Sequence, residues 1–126
     1  MATVAVTTEN LETLVAENDL VLLDFWAEWC GPCRSFGPVF ETVSNEFSAG
    51  VFGKIDTEDQ QALAASFNIQ SIPTLMIIRE QVVIFSQAGA LPEAALRDLV
   101  EQALALDMEA IHAEIAAEQA EDDAAE

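Results

Sequence analysis

Residues 20–26, Leu-Val-Leu-Leu-Asp-Phe-Trp, form an apolar run broken only by one acid. A strand that is apolar at nearly every position, rather than at alternate ones, must be covered on both faces. This demand points to a sheet enclosed between helices, and the flanking sequence supplies them. Residues 7–18 place Leu11, Leu14 and Val15 at helical spacing behind Thr8 as a cap. From Cys33 onward, Phe36, Val39, Phe40, Val43 and Phe47 share one helical face, and Gly50 is the expected stop. Residues 3–6 and 51–56 read as strands, and 58–68 as a short helix. Residues 74–79 and 82–86 are strands joined too tightly for a helix, hence an antiparallel hairpin. Pro92 is a good first helical residue, followed by Leu96, Leu99, Val100 and Ala103 on one face. The order βαβαβαββα predicts an α/β fold, a mixed central sheet flanked by helices on both faces.

With 126 residues, 52% of them hydrophobic, the chain suits one domain with a full core. Its 23 acids against 4 basic residues give a net charge of -19, which repels nucleic acid and anionic lipid. The excess is uneven, because residues 107–126 hold eight acids and neither Lys nor Arg. We therefore expect a domain over 1–106 and an acidic, Ala/Glu-rich extension over 107–126, helical or partly disordered. One unbroken helix over 93–120 would run about 42 Å, so it either overhangs the domain or breaks near Asp107 and folds back. The extension reads as a solvated tail, with a docking or self-association stripe (Leu104, Met108, Ile111, Ile115) as the other reading, and His112 as a surface residue. The N-terminus shows no secretory pattern and no run spans a bilayer, so a cytoplasmic setting and a monomer are the expectations.

Both cysteines fall in Asp24-Phe-Trp-Ala-Glu-Trp-Cys-Gly-Pro-Cys33. A disulfide catalyst needs one thiol ionised enough to attack and a second near enough to displace it from the mixed disulfide. Cys30 at the start of a helix beginning near Pro32 or Cys33 meets the first need, since free N–H groups and the helix dipole favour a thiolate there. Pro32 suits the first turn. A zinc site would want four ligands, and one cysteine pair with a lone His112 does not supply them. An inert bridge across so short a loop would stabilise little. Redox chemistry is the reading that remains, with no bound cofactor and no metal.

Residues 21–38, Val-Leu-Leu-Asp-Phe-Trp-Ala-Glu-Trp-Cys-Gly-Pro-Cys-Arg-Ser-Phe-Gly-Pro, resemble the active-site segment of the thioredoxin family. Residues 68–75, Asn-Ile-Gln-Ser-Ile-Pro-Thr-Leu, resemble the segment carrying that family's cis-proline. The resemblance spans residues 3 to about 106 and implies the thioredoxin fold. It implies a protein disulfide reductase in which Cys30 is the exposed nucleophile and Cys33 the buried resolving thiol, spaced by Gly31 and Pro32. It implies disulfide-containing protein substrates, and a thioredoxin reductase, flavoprotein or ferredoxin-linked, as the source of electrons. A thioredoxin-fold binding module with incidental redox activity is the alternative of a different class.

Burial in an apolar strand raises the pKa of Asp24; the matching family aspartate exchanges a proton, through water, with the resolving cysteine. Its alternative is an acid whose head merely reaches a surface. Lys54 resembles the lysine that modulates that aspartate, with a snorkelling strand lysine as the alternative. Trp29 is assigned to substrate contact and Trp26 to support of the site. If Ile72-Pro73 is cis, the Ile72 backbone can pair with an extended substrate. Gly89 resembles the glycine completing the apolar surface round the site. Pro38 should kink the active-site helix. Arg34 keeps a positive charge where lysine is frequent. The turn at Arg79-Glu80-Gln81 lacks the Asn-Gly or Asp-Gly expected of a tight hairpin, which puts its geometry in doubt.

Overall fold

The computed structural model describes residues 2–125; Met1 and Glu126, the outer ends of the two expected segments, lie outside them. The elements are β1 (Thr3–Ala5), α1 (Leu11–Glu17), β2 (Leu20–Trp26), α2 (Gly31–Ser44), β3 (Val51–Asp56) and α3 (Gln61–Ser66). They continue with β4 (Thr74–Arg79), β5 (Val82–Ala88), α4 (Glu93–Ala105) and α5 (Met108–Ala125). The five strands lie in the order β1-β3-β2-β4-β5. β1 and β2 run parallel to β3, whereas β4 is antiparallel to both β2 and β5, so the sheet is mixed. β2 is the middle strand, and Leu20 through Phe25 are all 0% exposed, as an uninterrupted apolar run requires.

Alternation along β2 sends successive side chains to two separate cores. Leu20 and Leu22, with Phe52, Leu75 and Ile77, pack under Phe36, Phe40 and Val43 of α2 and Leu96 and Val100 of α4. Val21, Leu23, Phe25 and Ile55 pack on the opposite face with Leu63 of α3 and Leu11 and Leu14 of α1. Each fully buried Leu, Ile or Phe contributes about 2–3 kcal/mol of transfer free energy. Asp24 has the parity of Leu20 and Leu22, which sets its carboxyl beneath α2. Arg97 joins α4 to the end of α2 through two bonds to the Glu46 carboxylate, at 2.8 and 2.7 Å. Arg79 donates to the carbonyl oxygen of Ala103 at 2.7 Å, supplying a cation at the C-terminus of α4.

Several boundaries differ from the sequence expectation, each for a local reason. α1 begins at Leu11 rather than after Thr8, because the Asn10 side chain closes a turn, accepting from Thr7 N–H at 2.8 Å and donating to the Ala5 carbonyl at 2.9 Å. α2 ends at Ser44, before Gly50. Gly50 serves close packing instead, since a Cβ there would lie 2.9 Å from Leu20 Cδ2. α3 is shortened because Asp56 Oδ1 accepts the Glu58 N–H at 3.0 Å and holds residues 57–59 as a turn. Pro92 is the residue before α4, extended at ψ 153°, rather than its first helical residue.

The doubtful hairpin forms with a two-residue turn. Glu80 and Gln81 take φ values of 49° and 69°, the left-handed pair that a tight right-twisted hairpin demands. The helical pattern after Pro92 breaks at Leu106, whose ψ of 141° is extended. Asp107 Oδ1 then accepts from Ala110 N–H at 3.1 Å, Met108 is buried, and His112 Nε2 lies 3.1 Å from Glu80 Oε1. Beyond Ile111, α5 is exposed through residue 124. Glycine at position 81 relieves a side chain held at positive φ, so Gln81→Gly should stabilise the fold by roughly 0.5–1 kcal/mol, read as a raised urea midpoint at unchanged slope.

Candidate active site

The carboxyl end of β2 and the N-terminus of α2 bring the expected residues together. Cys30 is the N-cap of α2, with φ -85° and ψ 114°, and its Sγ accepts the Cys33 backbone N–H at 3.2 Å. The sulfur thus occupies the place of a capping oxygen, at the positive end of a 14-residue helix. Gly31 is the first helical residue, one or two earlier than the sequence suggested. Pro32 follows in the first turn, where a missing N–H costs no helical bond. Cys30 and Cys33 are joined as a disulfide. The expected contrast of an exposed Cys30 and a buried Cys33 is not seen: each is 4% exposed, because the bond holds Cys30 Sγ 3.6 Å from the Ile72 carbonyl oxygen. What separates the two sulfurs is direction. Cys30 adjoins Ile72 and Trp29, whereas Cys33 lines a groove on the inner side.

That groove, about 370 Å³, is bounded by Trp26, Cys33, Arg34, Gly37, Glu41 and Lys54. Asp24 lies beneath α2 at 0% exposure, and neither carboxyl oxygen has a hydrogen-bond partner among the described residues. Burial pushes its pKa up from the usual 3.8 to about 7, against the pull of the Lys54 charge. Lys54 is the register partner of Asp24 across β2 and β3, and its Nζ stands 4.9 Å from the centroid of the Trp26 ring. Trp26 Nε1 is also buried and has no partner among the described residues.

On the outer side, Trp29 is 66% exposed and its indole N–H donates to Glu58 Oε1 at 2.6 Å. The Ile72-Pro73 peptide is cis, and Gly89 N–H donates to the Pro73 carbonyl at 2.8 Å. Gly89 has φ +112°, a conformation L side chains rarely adopt, and the space where its Cβ would stand is open. An apolar hollow of about 440 Å³ runs between Trp29, Ala64, Ile69 and Ile72 beside the disulfide. Glu58 was not singled out from the sequence. The available signal was its position just past the carboxyl end of β3, beside the end of β2, where sites of such sheets lie.

A disulfide capping a helix, a buried carboxyl behind it and a cis-proline in front define a fold that comparison identifies. The thioredoxin family model matches residues 2–102. This chain belongs to the thioredoxin family. It is 55% identical over 120 residues to "Putative thioredoxin 2" of Streptomyces coelicolor, covering 95% of this chain and 90% of that protein. It is 41% identical over 95 residues to a thioredoxin of Haemophilus influenzae, covering 74% and 89%. Among solved structures, a mutant thioredoxin from Halobacterium salinarum superposes with a TM-score of 0.76 at 35% identity, covering 82% of this chain and 92% of the other. A chloroplastic thioredoxin z gives 0.77 at 30%, covering 84% and 97%. The thioredoxin-family chain described here is accordingly a thiol–disulfide oxidoreductase.

Asp24 carries a stability signature of its own. Its folded-state pKa lies above the unfolded value, so the ionisation penalty is absent below about pH 4, grows as pH rises to about 7, and then levels off near roughly 4 kcal/mol. Asp24→Asn should therefore gain stability relative to wild type by roughly 2–4 kcal/mol more near pH 8.5 than near pH 4.5, measured by urea unfolding at both.

Proposed function

We propose that the chain is a general protein-disulfide reductase in which the Cys30 thiolate attacks a substrate disulfide. The attack forms a mixed disulfide and expels one substrate thiolate. Cys33, deprotonated, then displaces the second substrate sulfur and closes the Cys30–Cys33 bond, so two electrons pass to the substrate. The observation that supports this order is the Cys33 N–H bond to Cys30 Sγ at the N-cap, which stabilises negative charge on Cys30 once the bond is opened. Trp29, Gly31, Pro32, Ile72, Pro73 and Gly89 supply the substrate-facing surface; the Ile72 carbonyl oxygen lies 3.6 Å from Cys30 Sγ, and the Ile72 backbone is offered to an extended chain.

Cys33 needs its proton removed before it can resolve the intermediate. Asp24, buried beneath α2 with a pKa of about 7, is suited to accept that proton through water near neutrality. Lys54, its register neighbour, favours the Asp24 carboxylate, and Trp26 packs between that lysine and the disulfide. The electrons are supplied by a thioredoxin reductase, and we place the cycle in the cytoplasm. No described helix is long and apolar enough to cross a membrane.

Reduction of a model protein disulfide, coupled to a reductase, tests the reading. Cys30→Ser should abolish turnover by at least about a thousandfold. Cys33→Ser should accumulate mixed disulfides with many cellular proteins. Turnover by Cys30→Ser near the wild-type rate sinks the enzyme reading. Trapping of one partner alone would make the chain a dedicated rather than a general reductase.

A further inference from the structure

The groove behind Cys33 is lined by a carboxyl group, Glu41, that the mechanism above leaves unused. Glu41 lies on α2, one turn beyond Gly37, and both line the groove with Lys54. Its Oε2 accepts a 2.6 Å hydrogen bond from Thr3 Oγ1 of β1, which fixes the carboxylate from the far side. Its Oε1 is buried and has no partner among the described residues.

Lys54 lines the groove with Glu41 and is paired in register with Asp24. A Cβ at Gly37 would lie 3.6 Å from Lys54 Nζ, which places the ammonium under that turn of α2. Glu41, four residues on, is one helical turn away, about 5–6 Å. Asp24 is the lysine's register partner on the neighbouring strand. Among the described residues, no carboxylate comes within the 4.0 Å of an ion pair with Lys54, so neither acid holds the ammonium outright. The remaining ionisable groups around the groove are Cys33 and Arg34 on α2. Asp56, farther along β3, is turned into its own loop by the Glu58 N–H, and Thr3 on β1 does not titrate.

We propose that Glu41 is a positioning residue of the proton-transfer apparatus: its carboxylate, tethered by Thr3, competes with Asp24 for the Lys54 ammonium. Drawing the lysine toward Glu41 weakens the support it gives to the Asp24 carboxylate, and the Glu41 charge itself opposes ionisation of Asp24. Both effects keep Asp24 able to hold a proton near neutrality. The proposal rests on the assignment of Asp24 as the proton acceptor for Cys33, but it makes a claim about Asp24 that does not depend on turnover.

The Asp24 carboxyl is followed by its ¹³C shift against pH in the full-length dithiol protein, with reductase-coupled turnover measured alongside. Glu41→Gln keeps the acceptor for Thr3 and removes the charge; it should lower the Asp24 midpoint by about half a pH unit or more. Glu41→Asp, which keeps the charge, should return the midpoint toward wild type. In a Lys54→Met background, Glu41→Gln should shift the midpoint by less than about half as much. An unchanged midpoint in Glu41→Gln, with or without a change in thermal stability, assigns Glu41 a purely structural bond to Thr3 and overturns the proposal. So does a shift undiminished by Lys54→Met, since the lysine would then carry none of the effect. If the midpoint moves while the pH profile of turnover does not, Glu41 tunes Asp24 as proposed and the relay assignment of Asp24 fails instead.

Discussion

A carboxyl group without a hydrogen-bond partner among the described residues, in the middle of the most enclosed strand, is the constraint around which the structure is arranged. β2 is paired on both edges and covered on both faces, so Asp24 cannot reach bulk water as a surface acid does. Ionising it there opposes folding by roughly 4 kcal/mol, a large share of the 5–15 kcal/mol by which domains are usually stable. Two apolar cores offset the cost, one under α2 and α4 that is rich in phenylalanine and a mainly aliphatic one under α1 and α3. The same burial brings the pKa to where a thiol proton can be taken up and returned. Stability and chemistry are opposed at this residue, and the fold is strong enough to hold it.

The disulfide depends on that arrangement from the other side. α2 starts immediately after the β2 loop, so its free N–H groups meet Cys30 while its inner face covers Asp24. One helix therefore supplies the electrostatics at the Cys30 sulfur, proposed above as the attacker, and the roof over Asp24, proposed above as the proton acceptor. The four basic residues are distributed with similar economy. Arg79 binds the end of α4, Arg97 ties α4 to Glu46, Lys54 stands over Trp26 beside Asp24, and Arg34 lines the groove. In so acidic a chain, the cations near the site weigh heavily in its local field.

Most of this was legible in the sequence because strong periodicity leaves few alternatives. The limits of β2 and β4 follow directly from near-continuous apolar runs bounded by polar residues. The ends of helices were harder to read, since they are set by side chains that compete for backbone groups. Asn10 and Asp56 each close a turn where a helical pattern had already begun. The turn at Glu80-Gln81 adopts left-handed geometry without glycine or asparagine, so strand pairing there overrides local preference. At the site, the paired cysteines announce themselves by spacing and Asp24 by its incongruous burial. Glu58 and Glu41 carry no such mark. They matter through neighbours 29 and 38 residues away in the chain, a relation that only the folded register creates. The mutual burial of both sulfurs was equally invisible, because it follows from the closed bond against Ile72.

The central claim is that Asp24 handles the proton of Cys33. It is tested most directly by single-turnover reduction of a protein disulfide, followed from about pH 5 to pH 9 in wild type and Asp24→Asn. The account predicts an inflection near pH 7 in the wild-type resolution rate that is absent in Asp24→Asn, together with a slower rate at neutral pH. An identical profile in the two proteins would contradict it and leave the buried acid without a part in the reaction.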